Sequence, residues 1–208
     1  MYELEKIRWK SHHFGTCLVR HKDKLVYVNI PKCATEWAKY IFGGERHNFI
    51  DTPLPDDYRY IVILRNPNTR LVSGICEWLK RYTNIDASNP ILDNPDVISL
   101  ITGTGGAHDE HTELQSRFIQ GIPLEKIIFF KCDQHLKTNL EHWMMENNVK
   151  IYIQTDQRHQ TKGKWKDRMI SLEKLINRKG SLKKRVTEQL KVDNELYDSV
   201  QYYTKGEE

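Results

Sequence analysis

The chain has 208 residues, of which 29% are charged, and its formal net charge at pH 7 is +4. Such a length favours one domain over residues 1–208, and the mild basic excess suits an anionic ligand without identifying one. The sequence has no apolar run of about 18 residues and no apolar core of a signal peptide, which argues against a membrane-spanning helix or a secretory leader. The four cysteines form no C-x-x-C pair, so we expect reduced thiols and a cytoplasmic protein.

The first predicted elements are two strands followed by a loop and a helix. Residues 14–19 and 25–30 are apolar stretches joined by a polar pentapeptide, which predicts a hairpin. The second strand runs into Pro31 and Lys32, and helical spacing of apolar residues then continues until Gly43. A strand, a loop and a helix in this order present backbone N–H groups to an anion, and Lys32 adds a positive charge.

A second strand, loop and helix motif of the same kind occupies residues 60–82. Its strand ends at Arg65, Asn66 is the predicted N-cap, and Pro67 fits the first turn of the helix that follows. The apolar face of this helix is predicted to consist of Leu71, Val72, Ile75, Trp78, Leu79 and Tyr82. The opposite, polar stripe is predicted to consist of Thr69, Arg70, Ser73, Glu77 and Lys80.

The rest of the chain alternates between helical and strand patterns. Residues 82–107 predict an irregular insertion, and a helix closed by Gly121 follows. We then expect a buried strand at 126–131, a helix at 133–147 and a short strand at 150–153. After a basic loop, one or two helices are expected to bury Leu182, Val186, Leu190, Leu196 and Val200. The alternation predicts an α/β fold with a parallel sheet flanked by helices.

The two strand, loop and helix motifs together resemble those of the sulfotransferases that use 3′-phosphoadenosine 5′-phosphosulfate (PAPS), most closely the carbohydrate and heparan branch. In that family a P-K-x-G loop followed by two Ser or Thr residues holds the 5′-phosphosulfate, and R-D/N-P-x-x-R-x-x-S holds the 3′-phosphate. The chain matches the second motif in full and departs from the first at Ala34 and Glu36. Ala34 is strained if its φ is positive, and Glu36 repels the nucleotide unless it turns away or acts as a base.

The resemblance covers residues 24–80 strongly and 108–200 weakly, and it implies the P-loop nucleotide-kinase-like sulfotransferase fold. Arg65 and Ser73 are implied to hold the 3′-phosphate, while Arg70 is either structural or faces the ligand. Lys32 is the implied catalytic cation, and Thr35 is a hydroxyl donor, an N-cap, or both. The residues implied to surround the 5′-phosphosulfate are Pro31, Lys32, Cys33, Ala34, Thr35, Glu36 and Trp37.

An acceptor hydroxyl needs a general base, for which histidine is the first residue type to examine. The heparan enzymes have a catalytic histidine between the phosphosulfate loop and the strand that ends at the arginine. Here that interval contains His47, with Glu45 as its substitute, and His111 is the alternative. Gln115 and Arg117 are the counterparts of a Gln-x-Arg pair on the acceptor side of those enzymes.

A late basic loop closes over the 3′-phosphate and the adenine in the resembled family. The corresponding residues here are Lys162, Gly163 and Lys164, and the adjacent Trp165 is able to stack on a purine. A lysine-rich turn of this kind is also compatible with a simple solvated loop, so both interpretations stay open.

The resemblance predicts in-line transfer of a sulfuryl group from PAPS to a hydroxyl, or less readily to an amine, without a metal and without a nucleic-acid partner. It favours a carbohydrate acceptor, while a lipid head group, a small metabolite and a peptide tyrosine stay open. A microbial or viral source fits a chain without a membrane anchor, and the oligomeric state stays open. One alternative is a nucleotide-binding relative that has lost catalysis, suggested by Ala34 and Glu36. The other is a basic polyanion or nucleic-acid-binding protein. This alternative does not explain why the chain has two phosphate-binding motifs. The G-x-x-x-x-G-K-S/T motif of P-loop kinases does not occur in the sequence.

Overall fold

The structure is a computed structural model that describes residues 16–48, 54–82, 110–152, 164–178 and 180–206. The chain divides into two compact units. The first comprises Met1–Arg65, Gln115–Arg158 and Ser199–Glu208, and the second comprises Asn66–Leu114 and His159–Asp198. The single domain over residues 1–208 stays a prediction.

A five-stranded sheet forms the centre of the first unit, in the order β3-β1-β2-β4-β5. The strands are β1 (Thr16–Arg20), β2 (Leu25–Val28), β3 (Glu45–Asn48), β4 (Arg59–Leu64) and β5 (Ile127–Lys131). β1 pairs antiparallel with β2 and β3, whereas β2, β4 and β5 pair in parallel. The α/β class and the hairpin are therefore confirmed. The predicted parallel pairing is present between β2, β4 and β5, while the short turn after β1 permits only antiparallel pairing with β2, as a hairpin requires.

In the described residues of the first unit, three helices pack with the buried apolar strands of this sheet. All four residues of β2 are buried, as is typical of a strand covered on both faces. The helices are α1 (Thr35–Phe42), α3 (Gln115–Phe118) and α4 (Leu136–Glu146). Gly43 ends α1 as predicted, with a φ of 60°, and a Cβ atom there would lie 2.8 Å from the ring of Tyr152.

The segment that follows α4 differs from the prediction. Residues 150–152 form no strand, and Ile153 lies outside the described residues. Instead, the N–H of Tyr152 donates to the carbonyl of Ile41 at 3.1 Å, and the guanidinium of Arg20 donates to the carbonyl of Lys150 at 2.6 Å. The Tyr152 N–H and the Lys150 carbonyl therefore bond to the end of α1 and to Arg20, and not to a neighbouring strand as predicted. The predicted strand at 126–131 and the helix at 133–147 are confirmed as β5 and α4, within a few residues at each end.

The carboxyl-terminal segment returns to the first unit and covers the outer side of β5. Tyr202 forms a parallel bridge with Phe129, and the N–H of Tyr203 donates to the Phe129 carbonyl at 2.8 Å. The Tyr203 hydroxyl lies 2.6 Å from Nδ1 of His142 and also donates to the carboxylate of Glu146. These contacts fasten residues 202–203 to both β5 and α4.

The second unit is helical in its described residues. It contains α2 (Pro67–Tyr82), α5 (Lys164–Arg178), α6 (Gly180–Gln189) and α7 (Lys191–Ser199), the last of which ends in the first unit. Its core includes Leu182, Val186 and Leu190, as predicted, together with Leu71, Val72, Ile75, Cys76, Leu79, Leu172 and Ile176. Leu196 and Val200 are only half-buried. The expected insertion at 82–107 lies outside the described residues, apart from Tyr82. None of the described helices is long and apolar enough to cross a membrane.

Candidate functional site

The carboxyl ends of three parallel strands meet at one edge of the sheet in the first unit. β2 leads to Lys32, β4 to Arg65 and β5 to Cys132. The Cys132 N–H donates to the Leu64 carbonyl at 2.8 Å, so the pairing of β4 with β5 continues to this edge. Ligands of open α/β sheets bind at such an edge. The candidate site is the strand-end cluster, which consists of Lys32, Cys33, Ala34, Thr35, Arg65 and Gln115.

The loop between β2 and α1 contains two residues in the left-handed backbone region. The φ angles are 69° at Lys32 and 58° at Ala34. The left-handed conformation of a residue other than glycine costs about 1–2 kcal/mol. Because the φ of Ala34 is positive, Ala34 has the strain that was predicted for this case. Left-handed residues within a turn direct successive backbone N–H groups into a concave surface that binds anions. Strain of this kind is concentrated at ligand clamps and active sites.

The carbonyl of Ile30 holds the loop in this conformation. It accepts a hydrogen bond from the Cys33 N–H at 3.2 Å and another from the Thr35 hydroxyl at 2.7 Å. Ala34, rather than Thr35, is the N-cap residue of α1, and it has no side-chain cap. The N-cap role expected for Thr35 is therefore wrong, because its hydroxyl closes the loop instead.

The amino terminus of α1 opens at the same loop. The first helical hydrogen bond runs from the Ala38 N–H to the Ala34 carbonyl, at 2.9 Å. The amides of the three preceding residues, Thr35, Glu36 and Trp37, therefore have no partner within the helix. The carboxylate of Glu36 is exposed and pairs with the ammonium of Lys39 at 3.0 Å. Glu36 thus directs its charge along the helix surface, which is one of the two arrangements that the sequence left open.

Gln115 joins the loop after β2 to the end of β4. Its Oε1 accepts from the Cys33 thiol at 3.2 Å and from the Arg65 N–H at 2.9 Å. Its Nε2 donates to the Arg65 carbonyl at 2.9 Å. The side chain is buried, with only 1% of the residue exposed. These contacts tie Gln115 to Cys33 and Arg65, and the acceptor roles implied for Gln115 and for the half-buried Arg117 stay predictions.

The guanidinium of Arg65 adds another link within the strand-end cluster. Its Nη1 donates to the carbonyl of Lys32 at 3.2 Å, so the cation at the end of β4 lies against the backbone of the first loop. Burial raises the pKa of the Cys132 thiol, while the positive charge of Arg65 acts in the opposite direction. Burial also raises the pKa of the Tyr27 hydroxyl, and the hydroxyl of Thr35 acts in the opposite direction.

Sequence reasoning missed Cys132 and Tyr27 as neighbours of this loop. Their only sequence signal is their position in or directly after a predicted strand. Both pKa shifts favour the protonated, neutral side chains, and the four cysteines, which all belong to the described residues, form no disulfide. The cationic groups of Lys32 and Arg65 therefore supply the positive charge of the cluster.

The backbone register places His47 at the same edge of the sheet as the first loop. Cys17 is opposite both His47 on β3 and Val28 at the carboxyl end of β2. His47 is thus two strands from Val28, a distance of about 10 Å at the usual strand spacing. Glu45 is opposite Val19, two residues farther from this edge, and its side chain is exposed. Of these two candidate bases, the register favours His47.

Three other candidate residues belong to the second unit. Arg70, only 2% exposed, donates to the carbonyl of Glu110 at 3.2 Å and to that of Glu113. It thereby fastens the segment that contains His111, which is also buried. Ser73 is 7% exposed on α2. The polar stripe predicted for α2 is therefore partly buried, since the backbone of residues 110–113 covers it, and the ligand role of Ser73 stays a prediction.

The boundaries of two helices in the second unit bear on the remaining predictions. Asn66 caps α2 as predicted, because its Oδ1 accepts from the N–H groups of Asn68 and Thr69 at 3.1 and 3.2 Å. Lys162 and Gly163 lie outside the described residues, whereas Lys164 begins α5 rather than continuing a loop. The ammonium of Lys80 lies 5.2 Å from the ring centroid of Trp165, so one face of that indole is already occupied by a cation.

Within the described ranges, no group of three or more His, Cys, Asp or Glu side chains could hold a metal ion, and the metal-free reaction stays a prediction. Comparison of the chain with protein-family models, with curated proteins and with solved structures finds no match. A functional assignment therefore depends on the residues and contacts described above.

Proposed function

We propose that the protein is a PAPS-dependent sulfotransferase with a P-loop nucleotide-kinase-like sulfotransferase fold. The single observation that supports this most strongly is the loop between β2 and α1. It combines left-handed backbone at Lys32 and Ala34 with the open amino terminus of a helix. Such a loop binds a phosphate or sulfate group through backbone N–H groups, and Lys32 adds the charge that a phosphosulfate requires.

The two departures from the family motif are compatible with this ligand. Ala34 adopts the left-handed conformation that a glycine would adopt, so the substitution costs stability rather than altering the path of the loop. Glu36 pairs with Lys39, which reduces its repulsion of an anion at the start of α1. The residues present therefore fit a phosphosulfate at the strand-end cluster.

The candidate residues of the first unit have distinct roles in the proposed reaction. Lys32 and the backbone N–H groups at the start of α1 stabilise negative charge on the bridging oxygen as the S–O bond breaks. Arg65 holds the 3′-phosphate by a charge-assisted contact. His47 removes the proton of the acceptor hydroxyl, with Glu45 as its substitute. PAPS supplies the sulfuryl group.

Further roles come from the resemblance. Ser73 adds a contact to the 3′-phosphate, His111 is the alternative base, and Lys162, Gly163 and Lys164 close over the nucleotide. The acceptor is a carbohydrate hydroxyl, and the reaction uses no metal.

A catalytically impaired nucleotide-binding protein is the second candidate, and one specific observation favours it. The loop that would hold the reacting group has alanine where the family motif has glycine, in the left-handed conformation that a Cβ atom disfavours. This candidate keeps the same nucleotide site, so turnover rather than binding distinguishes the two.

Isothermal titration of the purified protein with adenosine 3′,5′-bisphosphate (PAP), AMP and ATP tests the nucleotide site. We expect PAP to bind at least about tenfold more tightly than AMP, since a charge-assisted phosphate contact contributes roughly 1.5–3 kcal/mol. Lys32→Ala should weaken PAP binding. Lys22→Ala changes an exposed lysine in the turn between β1 and β2 and serves as the matched control.

Equal affinity for PAP and AMP, or no binding of either, would contradict the proposal. If PAP binds, PAPS is then incubated with a panel of hydroxyl-bearing oligosaccharides. Sulfated product identifies an enzyme, whereas selective PAP binding without product across sugars, lipid head groups and peptides favours the impaired relative.

A further inference from the structure

The side-chain amide of Gln115 connects the loop after β2 with the end of β4, which belong to the two predicted phosphate-binding motifs. Three of its hydrogen bonds are to Cys33 and to both backbone groups of Arg65. A glutamine amide offers two donors and one oxygen acceptor with two lone pairs. The oxygen is thus fully used, and one donor is committed to the end of β4.

These contacts form a closed circuit with the backbone of the first loop. Cys33 follows Lys32 in the chain, and the carbonyl of Lys32 accepts from the guanidinium of Arg65. The circuit therefore runs from Lys32 through Cys33, Gln115 and Arg65 back to Lys32. It lies beside the left-handed backbone at Lys32 and Ala34, where the chain most needs support to keep its conformation.

Burial stiffens the part of this circuit that Gln115 and Cys33 form. Gln115 is 1% exposed and Cys33 is fully buried, so water has little access to replace a broken hydrogen bond. A buried polar group that loses its partner remains unsatisfied, which disfavours movement of one loop without the other.

We infer that Gln115 is a positioning residue that fixes the loop of Lys32 and the strand end of Arg65 as one body. The occupation of one phosphate position then favours the occupation of the other. The inference rests on the proposed function for the identity of the nucleotide, but the link between the two segments is a property of the protein without ligand.

Hydrogen exchange of the ligand-free protein tests the link directly. The Cys33 N–H donates to Ile30 and not to Gln115, so it reports the loop without itself losing a partner. In Gln115→Leu we expect this amide to exchange about tenfold faster, since the loop opens locally more often. Gln134→Leu, which changes an exposed glutamine after β5, is the matched control.

A second pair of variants distinguishes the specific link from a general loss of stability. Cys33→Ala removes the donor to Gln115 and should speed exchange of the Arg65 N–H about fivefold. Cys33→Ser retains a donor and should leave that rate close to wild type. Unchanged exchange at Cys33 in Gln115→Leu, or equal exchange at Arg65 in the two Cys33 variants, would overturn the inference.

A double-mutant cycle with PAP measures the consequence for binding. If the two loops act as one body, the Lys32→Ala/Arg65→Ala double variant should lose about tenfold less PAP affinity than the product of the two single losses predicts. In the Gln115→Leu background the two losses should multiply. Multiplicative losses in both backgrounds would overturn the coupling. If the wild-type protein does not bind PAP, the proposed function fails, while the exchange rates still decide the link through Gln115.

Discussion

Gly74 and His111 meet through their backbones, because a Cβ atom on Gly74 would lie 2.1 Å from the carbonyl oxygen of His111. This approach allows the segment before α3 to lie directly on α2. Arg70, one helical turn before Gly74, donates to the carbonyl of Glu113 in the same segment. The close approach at Gly74 and the hydrogen bond from Arg70 therefore both keep this segment against α2.

Gly74→Ala should destabilise the protein although alanine favours helices. The added Cβ atom meets backbone rather than a flexible side chain, and overpacking of this kind costs about 1–3 kcal/mol in the free energy of unfolding. Gly180→Ala is the matched control, because nothing lies within 4 Å of its Cβ position, and we expect a gain of about 0.5–1 kcal/mol there. Urea denaturation of both variants measures the difference, and similar effects at the two positions would contradict the described packing.

Lys32→Ala and Arg65→Ala should impair different steps of the proposed reaction. Loss of the Lys32 ammonium should lower kcat by roughly two to three orders of magnitude, the usual effect of removing one preorganised donor. Loss of the Arg65 guanidinium should mainly weaken PAP binding, by about 10- to 100-fold. Steady-state kinetics and titration of each variant provide the comparison, with Lys22→Ala as the control. Near-normal turnover of Lys32→Ala, or unchanged PAP affinity of Arg65→Ala, would count against the assigned roles.

His47→Gln should reduce the turnover of the proposed reaction by about two to four orders of magnitude, since the substitution removes the general base. Glu45→Gln should have a much smaller effect, because Glu45 is farther from the strand-end cluster in the sheet register. The measurement is kcat/KM at neutral pH, with PAP affinity as the check on folding. A larger loss in Glu45→Gln, or in a parallel His111→Gln variant, would assign the base to that residue instead.

The buried thiol of Cys17 predicts a loss of stability at alkaline pH. Burial raises its pKa from 9.0 to about 12, so the unfolded chain releases this proton at a lower pH than the folded chain. The contribution of Cys17 is fully present below pH 9 and declines as the pH rises towards 12. Its slope is at most about 1.4 kcal/mol per pH unit for one proton.

Cys17→Ala isolates this contribution from those of other ionising groups. The variant lacks the thiol, so its free energy of unfolding should fall less steeply above pH 9 than that of the wild type. Guanidinium denaturation between pH 8 and 11 under reducing conditions gives both curves. Parallel curves over this range would show that Cys17 ionises equally well in the folded and unfolded chains.

The sequence predicted features whose causes are local. The hairpin of β1 and β2 follows from two apolar stretches around a short polar turn, and the α2 cap follows from Asn66 before Pro67. The loop after β2 was also found, because proline and lysine between a strand and a helix form a compact pattern. In each case a few neighbouring residues determine the structure.

The contacts that organise the candidate site could not be predicted in the same way. Gln115 is 50 residues from Arg65 in the chain, and nothing in its own neighbourhood indicates that partner. β3 was missed because Glu45–Asn48 is a polar segment, and its pairing with β1 rather than its own composition makes it a strand. For Arg70 the sequence leaves a structural and a ligand-facing role open, because nothing near it indicates that the carbonyls of Glu110 and Glu113 accept its hydrogen bonds.

The bridge between Phe129 and Tyr202 also has a consequence for the order in which the protein is made. A ribosome delivers β5 more than 70 residues before Tyr202 and Tyr203. Until those tyrosines arrive, Phe129 lacks the partner that Tyr202 later supplies, and a strand edge of this kind is able to pair with other chains. Tyr203 then places its ring against Phe130. Synthesis of Tyr202 and Tyr203 thus adds a cover to β5 that opposes its pairing with other copies of the chain.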